Sequence, residues 1–174
     1  GAKISGYTFN FGDGTTKKQA SNVIQHTYAK PGTYTVTVTV HSNIADATSA
    51  KCKVSVTVAP EPTAACTDLT ATVTKRTNVR LDAKATASNG ATISSYVFTI
   101  TDASGKVVYT QPVASTATSA STTTEITTPG TYTAKVVVKT SVGDKTDAKC
   151  EKSFKVAREK VPGVSIIKKV DGHD

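Results

Sequence analysis

The sequence contains no tryptophan and no methionine, and aromatic residues make up only 6% of its 174 residues. A chain of this length allows one or two small domains, and each would be near the size at which a single hydrophobic core becomes marginal. The sequence also lacks any apolar run close to the roughly 18 residues that a membrane-spanning helix needs. We also expect no signal peptide within these residues. Because the chain starts at Gly1 without an initiator methionine, we interpret it as an internal piece of a longer protein.

Charge of one sign is in moderate excess. The sequence has 21 lysines and arginines against 13 acidic residues, which gives a net charge of +8. The basic residues are scattered along the chain rather than gathered in a stripe, and no aromatic and arginine platform for stacking bases is visible. The charge therefore indicates a solubilised surface, and we predict no nucleic-acid partner.

The residues that are abundant favour β-strands. Valine, alanine and isoleucine occur among many threonines and serines, and β-branched side chains pack well on a pleated sheet. The segment 34–40 alternates with a period of two, which places Val36, Val38 and Val40 on one face. Turn signals such as Gly-Asp-Gly at 12–14 separate such segments. The pattern predicts an all-β sandwich, with a β-barrel as the less favoured alternative.

The chain also repeats itself. Residues 1–9 match residues 90–98 at an offset of 89, and residues 31–35 match residues 129–133 at an offset of 98. The triplet Ala-Lys-Cys at 50–52 recurs at the second offset. Three colinear blocks indicate two copies of one module. The nine extra residues of the second copy fall in the Ser/Thr-rich stretch 110–124, which we expect to be a longer connection.

Three spaced blocks of the first copy resemble the PKD (polycystic kidney disease) domain family. They are Tyr-Thr-Phe-Asn-Phe-Gly-Asp-Gly at 7–14, His-Thr-Tyr at 26–28 and Pro-Gly-Thr-Tyr-Thr-Val at 31–36. Phe9 stands where the family usually has tryptophan, and Asn10 where it has aspartate. The second copy keeps the Pro-Gly-Thr-Tyr turn but lacks the Gly-Asp-Gly and His-Thr-Tyr blocks, so it is a diverged copy. The resemblance implies tandem seven-stranded immunoglobulin-like sandwiches, used as spacer or interaction modules and without catalysis.

The repeats divide the chain. Residues 1–58 are expected to form a PKD-like sandwich that lacks its first strands, and residues 59–63 a proline-rich linker. Residues 64–157 are expected to form a complete sandwich, and residues 158–174 a tail or the start of a following module. Within that tail, the β-prone stretch 163–170 is interpreted as the opening strand of a further module or as a strand donated to another sandwich.

The three cysteines bear on how each copy closes. Cys66 precedes the first strand of the second copy and Cys150 lies in its last strand, so we predict a Cys66–Cys150 disulfide that is worth roughly 3–5 kcal/mol. The repeat places the partner of Cys52 before Gly1, which leaves Cys52 single unless it forms a competing bridge to Cys66. The strands equivalent to 69–75 and 79–87 are then missing from the first copy. Truncation or supply by another chain would explain their absence.

Few residues look like a chemical site. We expect Asp13 to form a tight turn, because one aspartate does not supply the 6–8 oxygens of a calcium site. The histidines lack paired-ligand spacing, and His26 is expected to pack or hydrogen-bond locally. Tyr34 and Tyr132 occupy matching positions and are predicted to form tyrosine corners. With no nucleophile, base and orienter set in view, we predict no enzyme activity, no metal and no cofactor.

These observations lead to a hypothesis about function. We expect a non-catalytic extracellular or cell-surface module, acting as a spacer or adhesive stalk of a microbial surface protein. The alternatives are a filament subunit assembled by strand exchange and a glycan-binding accessory module of a secreted enzyme. Expected partners are other modules of the same protein or neighbouring surface proteins, with self-association through the incomplete first copy.

Overall fold

The computed structural model describes residues 1–158. The chain divides into two compact units, Gly1–Pro62 (unit 1) and Thr63–Asp174 (unit 2). The described residues form β-strands and two short 3-10 helices, with no α-helix. The predicted all-β class is therefore confirmed. The β-prone stretch 163–170 lies outside the described residues.

Unit 1 is a single antiparallel sheet. Its strands are β1 (Ile4–Asn10), β2 (Thr16–Gln19), β3 (Gly32–Ser42) and β4 (Lys53–Val58), in the order β2-β1-β3-β4. A 3-10 helix, Ala50–Cys52, leads directly into β4. Turn-forming residues separate the strands: Pro31 and Gly32 stand at the start of β3, and the Gly-Asp-Gly turn precedes β2.

The two edges of this sheet carry basic residues. The edge strand β2 contains Lys17 and Lys18, and the opposite edge strand β4 begins with Lys53. Charged side chains on edge strands hinder pairing with strands of other chains.

Unit 2 has seven strands in two sheets. They are β5 (Thr63–Thr74), β6 (Asn78–Ser88), β7 (Ile93–Asp102), β8 (Val107–Ala114), β9 (Ser119–Glu125), β10 (Gly130–Thr140) and β11 (Glu151–Val156). One sheet has the order β11-β10-β7-β8 and the other β5-β6-β9. Two antiparallel sheets with this strand count are typical of an immunoglobulin-like sandwich. The first strand begins at Thr63, a residue that the sequence placed at the end of the linker.

The core of unit 2 lies between its two sheets. Side chains with no exposed surface come from both sheets and alternate with polar neighbours along each strand. The largest of them are Leu69, Val79, Leu81, Tyr96, Phe98, Ile100, Val136 and Val138. A disulfide between Cys66 of β5 and Cys150, at the end of the 3-10 helix Ala148–Cys150, joins the two sheets covalently.

The sheet of unit 1 repeats one sheet of unit 2 strand for strand. Strands β1, β2, β3 and β4 correspond to β7, β8, β10 and β11, and the register is the same: Phe9 lies opposite Val38 as Phe98 lies opposite Val136. An isolated bridge follows each long strand, Val40 to Ala47 and Val138 to Lys145. The described part of unit 1 contains no counterpart of β5, β6 or β9.

The segment 110–124 corrects one expectation. Instead of a long connection, most of it belongs to β8 and β9, joined by a short link. The strand β9 forms because β6 offers it a hydrogen-bonding edge, with Leu81 opposite Thr122. Periodicity alone missed it because threonine and serine occupy both faces of the strand. In unit 1, where the described residues supply no such edge, the chain between β2 and β3 forms no strand.

Candidate interaction surface

One face of the unit 1 sheet lacks a covering sheet among the described residues. Val36, Val38 and Val40 of β3 are only half-buried. Their counterparts in β10, Ala134, Val136 and Val138, have no exposed surface. Val54 of β4 faces the same side and is 58% exposed. The sequence therefore builds a core-type apolar face in unit 1 that is accessible along β3 and β4, whereas Phe9 of β1, on the same side, is only 6% exposed. We call this face the open face.

Cys52 immediately precedes β4, an edge strand of the same sheet. It ends the 3-10 helix Ala50–Cys52, as Cys150 ends the matching helix of unit 2. Whereas Cys150 is bonded to Cys66, Cys52 is a half-buried free thiol. Its sulfur accepts a hydrogen bond from the hydroxyl of Ser49 at 3.6 Å. The Cys66–Cys150 prediction is thus confirmed, and the competing Cys52–Cys66 bridge is wrong.

Asp13 organises the turn between β1 and β2. Its Oδ1 accepts hydrogen bonds from the backbone N–H of Thr15 at 3.0 Å and from the Thr15 hydroxyl at 2.6 Å. The glycines on either side, Gly12 and Gly14, have φ of +78° and +91°. A Cβ on Gly12 would stand 2.7 Å from the carbonyl oxygen of Thr35. The turn therefore requires glycine at position 12 both for its backbone angle and for the close approach of β3.

The second carboxylate oxygen of Asp13 engages His26. The distance from His26 Nε2 to Asp13 Oδ2 is 2.6 Å, and the two side chains are 19% and 18% exposed. The hydroxyl of Thr15 and then the imidazole of His26 lower the pKa of Asp13 from 3.8 to about 2, because both hydrogen-bond its charged form. With both oxygens occupied in this way, Asp13 acts as a structural residue of the turn.

Aromatic rings extend from this turn along the end of the sheet. The His26 ring stacks on Phe11 with centroids 3.9 Å apart and meets the edge of Tyr28 at 4.7 Å. Tyr28 in turn stacks on Tyr34 at 4.2 Å. The Tyr28 hydroxyl donates to the Phe11 carbonyl at 3.1 Å. Burial, followed by the charge of Asp13, raises the pKa of Tyr28. Together these rings shield Phe11, one of the few buried side chains of unit 1.

Tyr34 and Tyr132 make the same hydrogen bond in their two units. The hydroxyl of Tyr34 donates to the carbonyl of Lys30, and that of Tyr132 to the carbonyl of Thr128, both at 2.7 Å. Each hydroxyl reaches the backbone four residues upstream, which is the geometry of a tyrosine corner. The corner fixes the turn that precedes the long central strand in each unit.

The cluster of Thr15, His26 and Asp13 has the residue types of a nucleophilic triad but a different geometry. In a triad, the base binds the nucleophile through one ring nitrogen and the orienting carboxylate through the other. Here Asp13 and Thr15 both approach Nε2 of His26, at 2.6 and 3.4 Å. The Thr15 hydroxyl donates its proton to Asp13 instead. The arrangement therefore stabilises a turn and does not activate the hydroxyl.

Other polar side chains are engaged locally as well. The ring of His41 bridges Thr8 at 2.7 Å and Asp46 at 2.8 Å. Within residues 1–158, no three histidine, cysteine or acidic side chains are grouped closely enough to hold a metal ion.

Sequence reasoning missed a second aspartate turn, in unit 2. The repeat offset of 89 pairs Asp13 with Asp102 and Thr15 with Ser104. Oδ1 of Asp102 accepts from the N–H of Ser104 at 2.9 Å and from its hydroxyl at 2.6 Å, and these bonds, led by that of the hydroxyl, lower the pKa of Asp102. The positive φ is supplied by Gly105, at +84°. Unit 2 thus retains the turn although it lacks the Gly-Asp-Gly sequence.

A family model described as the PKD domain matches residues 1–58. Over these residues, unit 1 is similar to PKD domains. The matched segment contains the whole four-stranded sheet, the Asp13 turn and the first tyrosine corner. PKD domains are typically extracellular and generally non-catalytic, which indicates a structural or adhesive module.

Similarity to solved structures is low. No curated protein matches. Hypothetical protein PH1083 from Pyrococcus horikoshii is 10% identical with a TM-score of 0.35, over 53% of this chain and 89% of that one. The FN1-FN3 domains of chicken CNTN1 are 16% identical with a TM-score of 0.42, over 88% of this chain. The chain spans 54% of the length of that contactin fragment.

Among residues 1–158, no helix is long and apolar enough to cross a membrane.

Proposed function

We propose that this chain is a non-catalytic spacer in the stalk of a microbial cell-surface protein. Its partners are then the neighbouring modules of the same protein and adjacent surface proteins. Support comes from the PKD match and from the way in which the polar residues are used. Asp13, His26 and both corner tyrosines are committed to hydrogen bonds that hold turns in place.

One observation carries the proposal: the disulfide of unit 2 lies near the points where the chain enters and leaves that unit. Cys66 lies in the first strand and Cys150 immediately precedes the last, at a sequence separation of 84. When the chain is pulled from its two ends, tension passes from β5 through the sulfur bridge to β11. The enclosed residues cannot extend, so the unit keeps its length under load.

Single-molecule stretching measures this property directly. Fully extended residues span at most about 3.6 Å each, so reduction of the bridge should add roughly 300 Å to the length released when unit 2 unfolds. A Cys66→Ala/Cys150→Ala variant should release the longer length without reductant. Equal released lengths for the oxidised and reduced chains would contradict the mechanical role of the disulfide.

A display experiment tests the spacer role itself. The chain is placed between a bacterial surface anchor and a reporter binding domain, and reporter retention is followed under flow and protease. We expect the oxidised chain to retain more reporter than the double cysteine variant. Alongside, the chain alone is applied to a glycan array and to bare cells. Saturable binding that is lost in a Tyr28→Ala variant would overturn the spacer proposal in favour of an adhesive or glycan-binding role.

A further inference from the structure

The open face of unit 1 and the covered face of unit 2 differ in burial but not in sequence character. Val38 and Val136 occupy the same register position opposite a phenylalanine. Val136 has no exposed surface because the sheet β5-β6-β9 covers it, whereas Val38 is half-buried. An apolar face of this kind is stabilised when another layer removes it from water. The open face therefore fits the same kind of covering layer that unit 2 already has.

The chain between β2 and β3 points to the same missing layer. In unit 2, the equivalent connection contains β9, which pairs along β6 from Asn78 opposite Glu125 to Lys84 opposite Ser119. In unit 1, this connection makes its hydrogen bonds through side chains, as when Gln19 Nε2 donates to the Val23 carbonyl at 2.6 Å. A strand equivalent to β6 would give this backbone an edge with which to pair.

Cys52 indicates which kind of layer would cover the open face. It matches Cys150 by sequence offset and by its place at the end of a 3-10 helix. Cys150 is bonded to Cys66 of β5. A layer of the same type that covers the open face would bring a cysteine of its first strand to Cys52. Two separate features, the free thiol of Cys52 and the open face, thus fit the same partner.

We infer that the open face of unit 1 is the docking site for a further copy of the β5–β6 hairpin of this repeat, with a cysteine that forms a disulfide with Cys52. The occupant is a two-stranded segment with alternating apolar residues, as Leu69 and Leu81 alternate with polar residues in β5 and β6. This docking would take place whether or not the chain acts as a spacer.

The bond can form by thiol–disulfide exchange with glutathione disulfide as the oxidant. The thiolate of the hairpin attacks one sulfur of glutathione disulfide and releases one glutathione thiolate. The thiolate of Cys52 then attacks the hairpin sulfur of this mixed disulfide and releases the second. Two protein thiols are oxidised to one disulfide, and one glutathione disulfide is reduced to two thiols. The released protons pass to solvent or to the glutathione thiolates.

A fusion tests the inference with the whole chain. A second copy of residues 63–89 is placed directly before Gly1, since Gly1 matches Gly90, the residue that follows this segment in unit 2. We expect the free thiol count to fall from one to none and the alkylation of Cys52 to slow by at least ~100-fold. Peptide mapping should find Cys52 bonded to the added cysteine.

The control fusion carries Leu69→Asp and Leu81→Asp in the added copy only. It keeps the cysteine but loses the apolar face, so Cys52 should stay reactive. A folded fusion in which Cys52 alkylates as fast as in the parent chain would overturn the inference. So would equal protection in the control fusion, since protection would then be independent of the apolar face.

A second arm covers a fusion that does not fold. A synthetic peptide of residues 63–88 is added to the full chain in glutathione buffer, and adducts are identified by mass spectrometry. We expect an adduct at Cys52 that disappears in a Cys52→Ser chain and falls at least ~10-fold with the Leu69→Asp/Leu81→Asp peptide. Absence of the adduct would contradict the inference. A dimer of the unmodified chain that persists in the peptide's presence would contradict it too, because a second copy would then be the occupant.

Discussion

His26 Nε2 lies 2.6 Å from Oδ2 of Asp13, and this contact joins the turn before β2 to the chain that leads into β3. The same carboxylate holds both the N–H and the hydroxyl of Thr15. A PKD signature that is read as two separate sequence blocks is therefore one hydrogen-bonded unit in three dimensions. Its stability should depend on whether Asp13 is ionised.

The pKa of Asp13 predicts a stability change in acid. Because folding lowers this pKa from 3.8 to about 2, the contribution of Asp13 to stability is complete above pH 3.8 and is lost as the pH falls through about 2. Unit 1 of an Asp13→Asn variant should lack this dependence. In a Thr15→Val variant the pKa of Asp13 should rise, because the hydroxyl is the largest cause of the shift. NMR titration of the carboxyl group and melting between pH 2 and 6 would check both; an unchanged titration in Thr15→Val would contradict the assignment.

Two glycines of the same turn should differ in their tolerance of alanine. Both have positive φ, so alanine at either position should cost about 1–2 kcal/mol of unit 1 stability. At Gly14 nothing lies within 4 Å of the added Cβ, whereas at Gly12 it would press on the backbone of Thr35. We therefore expect Gly12→Ala to be clearly more destabilising than Gly14→Ala. Hydrogen exchange of the β1 and β3 amides measures both variants, and equal protection would count against the close contact.

Equivalent valines in the two units should respond differently to truncation. Val136→Ala removes buried methyl groups from a closed core and should destabilise unit 2 by about 2 kcal/mol. Val38→Ala, at the matching position of the open face, should cost less than about 1 kcal/mol because the side chain is already partly in water. Urea unfolding of the two variants tests the comparison. Equal losses would show that the face of unit 1 is covered in solution.

Loss of the disulfide should weaken unit 2 strongly. Because the cysteines have a sequence separation of 84, the Cys66→Ala/Cys150→Ala variant should lose about 2–5 kcal/mol of unfolding free energy. The matched control is Cys52→Ala, which removes a half-buried thiol without breaking a bond. It should change stability by less than about 1 kcal/mol. If Cys52→Ala lost as much unfolding free energy as the double variant, a structural role confined to the Cys66–Cys150 pair would be contradicted.

Sequence patterns predicted those parts of the structure that depend on spacing. The period-two valines of 34–40 predicted the face of β3, and the repeated Ala-Lys-Cys predicted that Cys52 and Cys150 are equivalent. Cys150 ends a 3-10 helix just before β11, however, and does not lie in the last strand as expected. The strand β9 escaped because its stability comes from pairing with β6, which is remote in sequence. The Asp13–His26 contact escaped for a similar reason: the partners are thirteen positions apart, with β2 between them, and no period relates them. The turn at Asp102 could have been found from the repeat offset alone.

The lysines at the margins of the unit 1 sheet make ionic strength a control on how copies of the chain meet. Lys17 and Lys18 on one side and Lys53 on the other add to a net charge of +8, so in dilute buffer two such margins repel each other. At 1 M salt this repulsion is screened beyond about 3 Å. At high salt concentration, neighbouring molecules are therefore expected to begin associating through the edge strands of their sheets.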